Sequence, residues 1–272
     1  LAPHGRRSGE IDFAGQPLAR LDQREQCRRI GFVMQSPESQ IVTDKVWHEL
    51  AFGLESLGCQ TQEIRRRVAE MASFFGIEGW FHRDTAGLSG GQKQLLSLAS
   101  VMVMQPDVLI LDEPTSQLDP IAAADFLAAV GRVNRELGTT VILSEQRLEE
   151  ALPLATLAVV MERGRLCCAG TPEQVGAQLR RADSGMLCAM PAAVRIWAAA
   201  DGTGRCPVTV RDGRAWLEDY AAQHPLRPLP AEPAAVCGAA VLRAEDLWFR
   251  YEDNAPDVVR GLSLTLHRGE LT

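Results

Sequence analysis

The chain has 272 residues, of which 46% are hydrophobic and 23% are charged, so it can bury a core and is not a disordered chain. Its formal charge of −7 argues against a protein that holds nucleic acid on a broad basic face. Only two of its 28 basic residues are lysines, Lys45 and Lys93. The seven cysteines show no CxxC spacing, which predicts free thiols rather than a zinc site or a disulfide framework. The longest uncharged apolar stretch, 95–104, is far shorter than the ~20 residues of a membrane-spanning helix.

The first part of the chain predicts two strands followed by three helices. These are a strand and turn over 10–20, a strand over 30–35, and helices over 43–58, 61–75 and 89–104. Gly53 is expected to break the first helix, and the second is expected to have Thr61 as its N-cap and Gly76 as its stop.

The middle of the chain alternates strand and helix. The predicted elements are a strand over 108–111, a helix over 120–137, a strand over 139–143, a short helix over 147–152, and a hairpin of 157–161 with 165–169. Because strand–helix–strand order produces a parallel sheet with crossover helices, the expected fold class is α/β with a helical insert over 44–105.

The composition changes after residue 178. Four prolines between 225 and 233 indicate a linker. Short helices over 191–200 and 215–222 are expected to flank a strand over 207–210, and two further strands are predicted from Val241 and over 258–266.

The first motif, Leu-Ser-Gly-Gly-Gln over 88–92, stands where a helix begins. The glycines Gly90 and Gly91 allow close backbone approach, and the free N–H groups of a helix start suit a phosphate. Ser89 adds a hydroxyl donor. Taken alone, the motif is weak evidence for a phosphate site, and a plain helix cap explains it better.

The second motif is an apolar strand that ends in Asp112 and Glu113. This placement puts both carboxylates at the carboxyl edge of the sheet, where open α/β sheets bind ligands. Asp112 is a candidate Mg²⁺ ligand, and Glu113 is a candidate general base for an attacking water. The third motif, Ser-Gln-Leu-Asp-Pro over 116–120, is by itself a turn and a helix start capped by Asp119.

The ordered set of these motifs resembles the ATP-binding cassette ATPases, whose fold is a P-loop NTPase-like ABC cassette. The resemblance implies ATP and Mg²⁺ as cofactors. By this resemblance the signature motif consists of Ser89, Gly90, Gly91 and Gln92, and the Walker B pair is Asp112 and Glu113. Asp119 would then belong to the D-loop, and Gln35 would be the Q-loop glutamine that touches Mg²⁺. Tyr251 would be the aromatic residue that stacks on adenine. An aromatic residue within a strand explains Tyr251 equally well without the family context.

Two features depart from the family pattern. A GxxxxGK[ST] phosphate loop is missing, and neither Lys45 nor Lys93 is placed to supply its lysine. Gln146 stands where the family has its switch histidine, and glutamine does not titrate near neutrality. The ATP site that uses this Walker B pair is therefore expected to hydrolyse slowly.

The missing loop suggests that the chain starts after one phosphate loop and ends before another. Residues 1–176 then resemble a first cassette without its N-terminal strands and phosphate loop, 177–237 a linker, and 238–272 the start of a second cassette. In the family each ATP lies between the Walker motifs of one cassette and the signature of the other. The chain alone is expected to lack ATPase activity.

Within the family, the run from Gln35 to Gln40, the segment around Gln146 and the stretch 207–214 are similar to the duplicated-cassette ATPase of energy-coupling factor (ECF) importers of vitamins and micronutrients. The resemblance implies membrane partners of the T and S type docked near 36–60, a second cassette in the same chain, no nucleic acid, and a cytoplasmic location on the inner face of the membrane. Two alternatives remain open: a soluble cassette ATPase acting on ribosomes or nucleic acid, and a regulatory ATP-binding subunit with weak hydrolysis.

Overall fold

The computed structural model describes residues 8–200, 202–224 and 238–270. They fall into two compact units, of which the first ends at Gln223 and the second begins at His224. The helices are α1 Gln23–Arg29, α2 Val46–Ser56, α3 Thr61–Phe75, α4 Gly90–Met102, α5 Pro120–Leu137, α6 Leu148–Ala151, α7 Pro172–Arg181, α8 Ala192–Ala199 and α9 Val210–Gln223. The strands are β1 Asp12–Phe13, β2 Gln16–Pro17, β3 Ile30–Val33, β4 Val108–Asp112, β5 Thr140–Ser144, β6 Ala158–Glu162, β7 Arg165–Gly170, β8 Ala240–Phe249 and β9 Val259–His267.

A three-stranded parallel sheet in the order β3-β4-β5 lies at the centre of the first unit. One face is buried against α2, α3, α4 and α5, and its inward residues include Val33, Leu109 and Leu111. Phe32, Ile110 and Ile142 are aligned in one row on the opposite face, where Phe32 is 46% and Ile142 56% exposed. The predicted α/β class with a parallel sheet is therefore confirmed.

The ends of the predicted helices follow local chemistry. The Asp119 carboxylate accepts hydrogen bonds from the backbone N–H groups of Ile121 and Ala122, which caps α5 directly before Pro120. Gly138 ends α5 and Gly76 ends α3, each with a positive φ that glycine adopts without strain. The predicted stops at these glycines are confirmed.

Several local predictions were wrong. Helix α2 is continuous through Gly53. The glycine there allows close packing, since a Cβ at this position would lie 3.0 Å from the Met104 sulfur. Residue 60 is the N-cap of α3, so Thr61 is the first helical residue. The expected strand over 207–210 does not form, because Thr209 Oγ1 accepts a hydrogen bond from the Asp212 N–H and the chain enters α9. The short strand and turn expected over 10–20 are present, as β1 and the turn that leads into its antiparallel partner β2.

The predicted domain boundary after residue 176 falls inside helix α7. Val175 and Leu179, one turn apart, face a second apolar cluster that includes Val194, Trp197 and Cys206. Residues beyond 176 therefore continue the first compact unit as far as Gln223 rather than leaving it as a linker.

The second unit is an antiparallel hairpin of β8 and β9. It carries several exposed apolar side chains, and Tyr251 is 79% exposed with its ring 5.1 Å from that of Phe249. None of the helices among the described residues is both long and apolar enough to cross a bilayer. The six described cysteines are free thiols, and burial raises the pKa of Cys206 to about 11.

Candidate functional site

The carboxyl ends of β3, β4 and β5 meet at one edge of the parallel sheet. Gln35 follows β3, Asp112 and Glu113 end and follow β4, and Gln146 follows β5. Parallel pairing brings these ends together, although the segments are far apart in sequence. The sheet thus gathers the four residues that the sequence predicted as catalytic or metal-binding.

Glu113 is the centre of this group. Its Oε1 accepts a hydrogen bond from Gln146 Nε2 at 2.8 Å, and its Oε2 accepts one from Gln35 Nε2 at 3.4 Å. Gln35 Nε2 also donates to Ser116 Oγ at 3.2 Å, and that hydroxyl donates to the Glu113 carbonyl at 2.9 Å. Each carboxylate oxygen of the candidate base is therefore oriented by an amide.

The backbone of Glu113 is in the left-handed region, with a φ of 43°. This conformation is strained for a residue other than glycine, and such strain is common where a side chain must be held in one direction. Its N–H donates to the Ser144 carbonyl and to Ser144 Oγ, each at 3.1 Å. These contacts hold the turn after β4 against the end of β5.

Ser144 links the Asp112 carboxylate to the backbone of Glu113, a role that the sequence analysis missed. Its hydroxyl donates to Asp112 Oδ1 at 2.9 Å while accepting from the Glu113 N–H. Ser144 lies opposite Asp112 in the parallel register, so strand alignment was the signal that could have found it. The Ser144 hydroxyl thus binds one of the two carboxylate oxygens of Asp112.

Glu145 is a second residue that the sequence analysis missed. It accepts from Thr115 Oγ1 at 2.6 Å and from the N–H groups of Gln146 and Arg147 at 2.8 and 3.1 Å. The Arg147 guanidinium then donates to the Leu118 carbonyl at 2.8 Å. Glu145 therefore ties the loop that carries Gln146 to the loop after β4.

The other predicted group lies at the N-terminus of α4. Ser89 Oγ accepts from the Gln92 N–H, and the Gln92 side chain accepts from the Ser89 N–H, which forms a capping box. A side chain at Gly90 would meet open space, whereas one at Gly91 would come within 2.9 Å of the Ala122 Cβ. Because the first N–H groups of a helix have no intrahelical acceptor, this end can offer backbone donors to an anion.

Two predicted ligand residues have no hydrogen bond to either group among the contacts that the structure describes. The Asp119 carboxylate is engaged in capping α5. Tyr251 belongs to the second unit. Each lysine is paired with a carboxylate, Lys45 with Asp84 at 2.6 Å and Lys93 with Glu38 at 3.2 Å.

The donors at the sheet edge fit a Mg²⁺ ion in chemistry, because Gln35 and Asp112 both offer side-chain oxygens. Among residues 8–200, 202–224 and 238–270, no three His, Cys, Asp or Glu side chains form a metal cluster. Gln35 and Asp112 would supply two of the oxygen ligands of such an ion. Magnesium commonly binds in this way, since it retains water and binds substrate phosphates.

Comparison with known proteins supports the fold and the family. The family model described as ABC transporter matches residues 2–116. A putative ABC transporter ATP-binding protein of Bacillus thuringiensis subsp. konkukian is 40% identical over 273 residues, which covers 99% of this chain and 48% of that protein. The chain thus spans about half the length of such curated relatives.

Two further comparisons give similar proteins from named transporter systems. The energy-coupling factor transporter ATP-binding protein EcfA1 of Symbiobacterium thermophilum is 44% identical over 167 residues, covering 59% of this chain and 58% of that protein. The solved structure of CbiO1 from Clostridium perfringens, part of the ABC transporter complex CbiONQ, aligns with a TM-score of 0.59. It is 32% identical and covers 64% of this chain and 71% of that one. The chain has the ABC cassette fold of the P-loop NTPases, and it belongs to the family of ABC transporter ATP-binding proteins.

Proposed function

We propose that this chain is part of the ATP-hydrolysing subunit of an ECF-type transporter, which couples ATP hydrolysis to the import of a small molecule such as a vitamin or micronutrient. The observation that carries the proposal is Glu113, held between two amides at the carboxyl edge of a parallel sheet. A carboxylate in this place can take a proton from an attacking water. The similarity to EcfA1 favours the ECF class.

In this proposal Gln35 and Asp112 would hold Mg²⁺, which would supply positive charge close to the phosphates. Glu113 orients water and accepts its proton at a carboxylate oxygen. Ser144 keeps Asp112 and Glu113 in fixed relation through its hydroxyl. Water, phosphate and metal would thus meet at groups that the fold has already oriented.

The signature motif is proposed to serve the other nucleotide site. Residues 89–92 would bind the phosphates of an ATP held by a second cassette, with Asp119 at the same cassette boundary. Residues 238–272 would begin that second cassette, and Tyr251 would stack on its adenine. The ring is suitable because it is 79% exposed.

Gln146 is proposed to slow the site that uses Glu113. Its amide donates to Glu113 Oε1 at 2.8 Å and therefore competes with water for that oxygen. An imidazole could instead exchange a proton near neutral pH. We expect Gln146→His to raise steady-state turnover in the whole protein by roughly tenfold. Unchanged turnover would remove the argument for a slow site.

The proposed partners are transmembrane components of the T and S type, with the protein on the cytoplasmic face of the membrane. The docking surface is proposed around 36–60, where Glu49 shapes the loop by accepting from the Val42 and Thr43 N–H groups at 3.1 and 2.9 Å. Trp47 and Phe52 are exposed on the adjoining helix α2.

The test uses the protein made from its complete gene, purified with its membrane subunits. Mg-ATP turnover is measured with and without the membrane subunits, and again with added ribosomes or duplex DNA. The proposal expects turnover that depends on Mg²⁺ and changes when the membrane subunits are present. Stimulation by ribosomes or DNA instead would favour the soluble alternative, and ATP binding without turnover would favour a regulatory subunit.

A further inference from the structure

Two side chains of α4 hold the segment that follows β3. Gln94 Nε2 donates to the Met34 carbonyl at 3.1 Å, and Lys93 Nζ lies 3.2 Å from Glu38 Oε1. Both residues come directly after the 89–92 motif on the same helix. Because the Met34 carbonyl belongs to the planar peptide that joins Met34 to Gln35, this contact sets the orientation of the Gln35 backbone.

Met34 is also held from its other side. Its N–H donates to Gln40 Oε1 at 2.9 Å, and Gln40 Nε2 donates to the Phe32 carbonyl at 3.3 Å. Gln40 therefore closes the loop after β3, while Gln94 attaches that loop to α4. From this fixed backbone the Gln35 side chain reaches Glu113.

Core packing alone does not explain Gln94. The residue is 0% exposed and lies on a helix whose neighbouring buried residues include Leu96 and Leu98. Its Oε1 finds no hydrogen-bond partner among the described residues. A buried acceptor without a partner lowers stability, and an apolar side chain of similar size would avoid that cost. The gain from a glutamine here is the contact of its Nε2 with Met34.

We propose that Gln94 is a positioning residue, which transmits displacements of the N-terminus of α4 to Gln35 and from there to Glu113. The inference rests on the proposed function, because it assigns these residues to one reaction. Ser89 and Gln94 are separated by about 7.5 Å along the helix axis, as the rise of an α-helix gives for five residues. A ligand that moves the capping box therefore also moves the amide that holds Met34.

The first test is hydrogen exchange in the whole protein made from its complete gene. Gln94→Met removes the donor and keeps a side chain of similar length. We expect backbone amides over 34–41 to exchange on the order of tenfold faster, while those of α4 and β4 keep wild-type rates. The matched control is Ser97→Ala, since Ser97 is also buried on α4 and its hydroxyl has no described partner. It should exchange as wild type.

A second variant tests the loop without changing α4. Gln40→Leu removes the other support of Met34, and we expect it to speed exchange over 34–41 in the same way. Both Gln94→Met and Gln40→Leu should lower kcat for Mg-ATP, with KM within about twofold of wild type, because neither side chain is placed in contact with nucleotide.

The outcomes separate this inference from the proposed function. Wild-type exchange over 34–41 in Gln94→Met overturns the inference, and so does faster exchange throughout α4 and β4, which indicates a structural role only. Wild-type kcat in a variant with faster loop exchange also overturns it. A wild-type protein without ATPase activity refutes the proposed function, whereas the exchange data still decide whether Gln94 holds the loop.

Discussion

The sheet edge around Glu113 and the N-terminus of α4 present their polar groups in opposite ways. At the sheet edge, side chains from separate strands bind one another, so that Gln35 and Gln146 orient Glu113. At α4, Ser89 and Gln92 bind their own backbone and leave Gly90 next to open space. The first region offers an assembled set of side chains for chemistry, while the second offers backbone donors and a helix dipole for binding.

Helix α7 shows which part of the α4 arrangement is general. Thr171 and Gln174 form the same capping box, but the first turn of α7 contains Glu173. The first turn of α4 contains no acidic residue. A carboxylate at a helix start compensates the positive end of the dipole. The N-terminus of α4 has no such carboxylate in its own first turn, which suits it to an external anion.

The largest expected effect is on the side-chain chemistry at the sheet edge. Glu113→Gln keeps the shape of the residue and removes its ability to accept a proton. We expect Mg-ATP turnover at the nucleotide site that uses Glu113 to fall about 10²- to 10⁴-fold. Thermal unfolding of the variant, the control for folding, should match wild type. Turnover at that site within about threefold of wild type would mean that Glu113 is not the general base.

The next effect tests whether the two glycines of the motif have different roles. Gly91→Val places a side chain against Ala122 and should lower the free energy of unfolding by about 1–3 kcal/mol. Gly90→Ala meets open space and should change it by no more than about 0.5 kcal/mol. Urea unfolding measures both. Equal losses would show that the two positions do not differ in packing.

The third effect separates the cap from the binding role. Ser89→Ala and Thr171→Ala each remove an N-cap hydroxyl and should each cost about 1 kcal/mol in urea unfolding. Only Ser89→Ala should also reduce Mg-ATP turnover, because only α4 is proposed to face a nucleotide. A similar loss of turnover in both variants would trace the effect to stability.

The smallest expected effect is a pH dependence at α7. Hydrogen bonds from the Thr171 hydroxyl, Arg205 and the backbone lower the pKa of Glu173 to about 2. A depressed folded-state pKa stabilises the protein above the unfolded-state value near 4.5, and this contribution is lost as pH falls towards 2. The stability difference between wild type and Glu173→Gln should be constant above pH ~5 and shrink below it. A difference that does not vary with pH would contradict this.

Sequence patterns predicted those parts of the molecule that depend on local chemistry. Asp119, Pro120 and Gly138 define α5 because caps and stops act within a few residues. The prediction of a strand over 207–210 was wrong, because the hydrogen bond from the Asp212 N–H to Thr209 Oγ1 outweighed the β-branched composition of this segment. Ser144 and Glu145 could not be assigned, since their roles depend on strand register and on contacts about 30 residues away.

The left-handed backbone of Glu113 limits which substitutions at this position are informative. A φ of 43° is tolerated by glycine and asparagine but is strained for β-branched residues. Valine or isoleucine at 113 would disturb the turn between β4 and α5, so a loss of activity in such a variant would not identify the missing carboxylate. If every amino acid is placed at position 113, folded yield should rank the variants by their tolerance of a positive φ. ATPase turnover should instead rank them by the ability of the side chain to accept a proton, so the two rankings should differ.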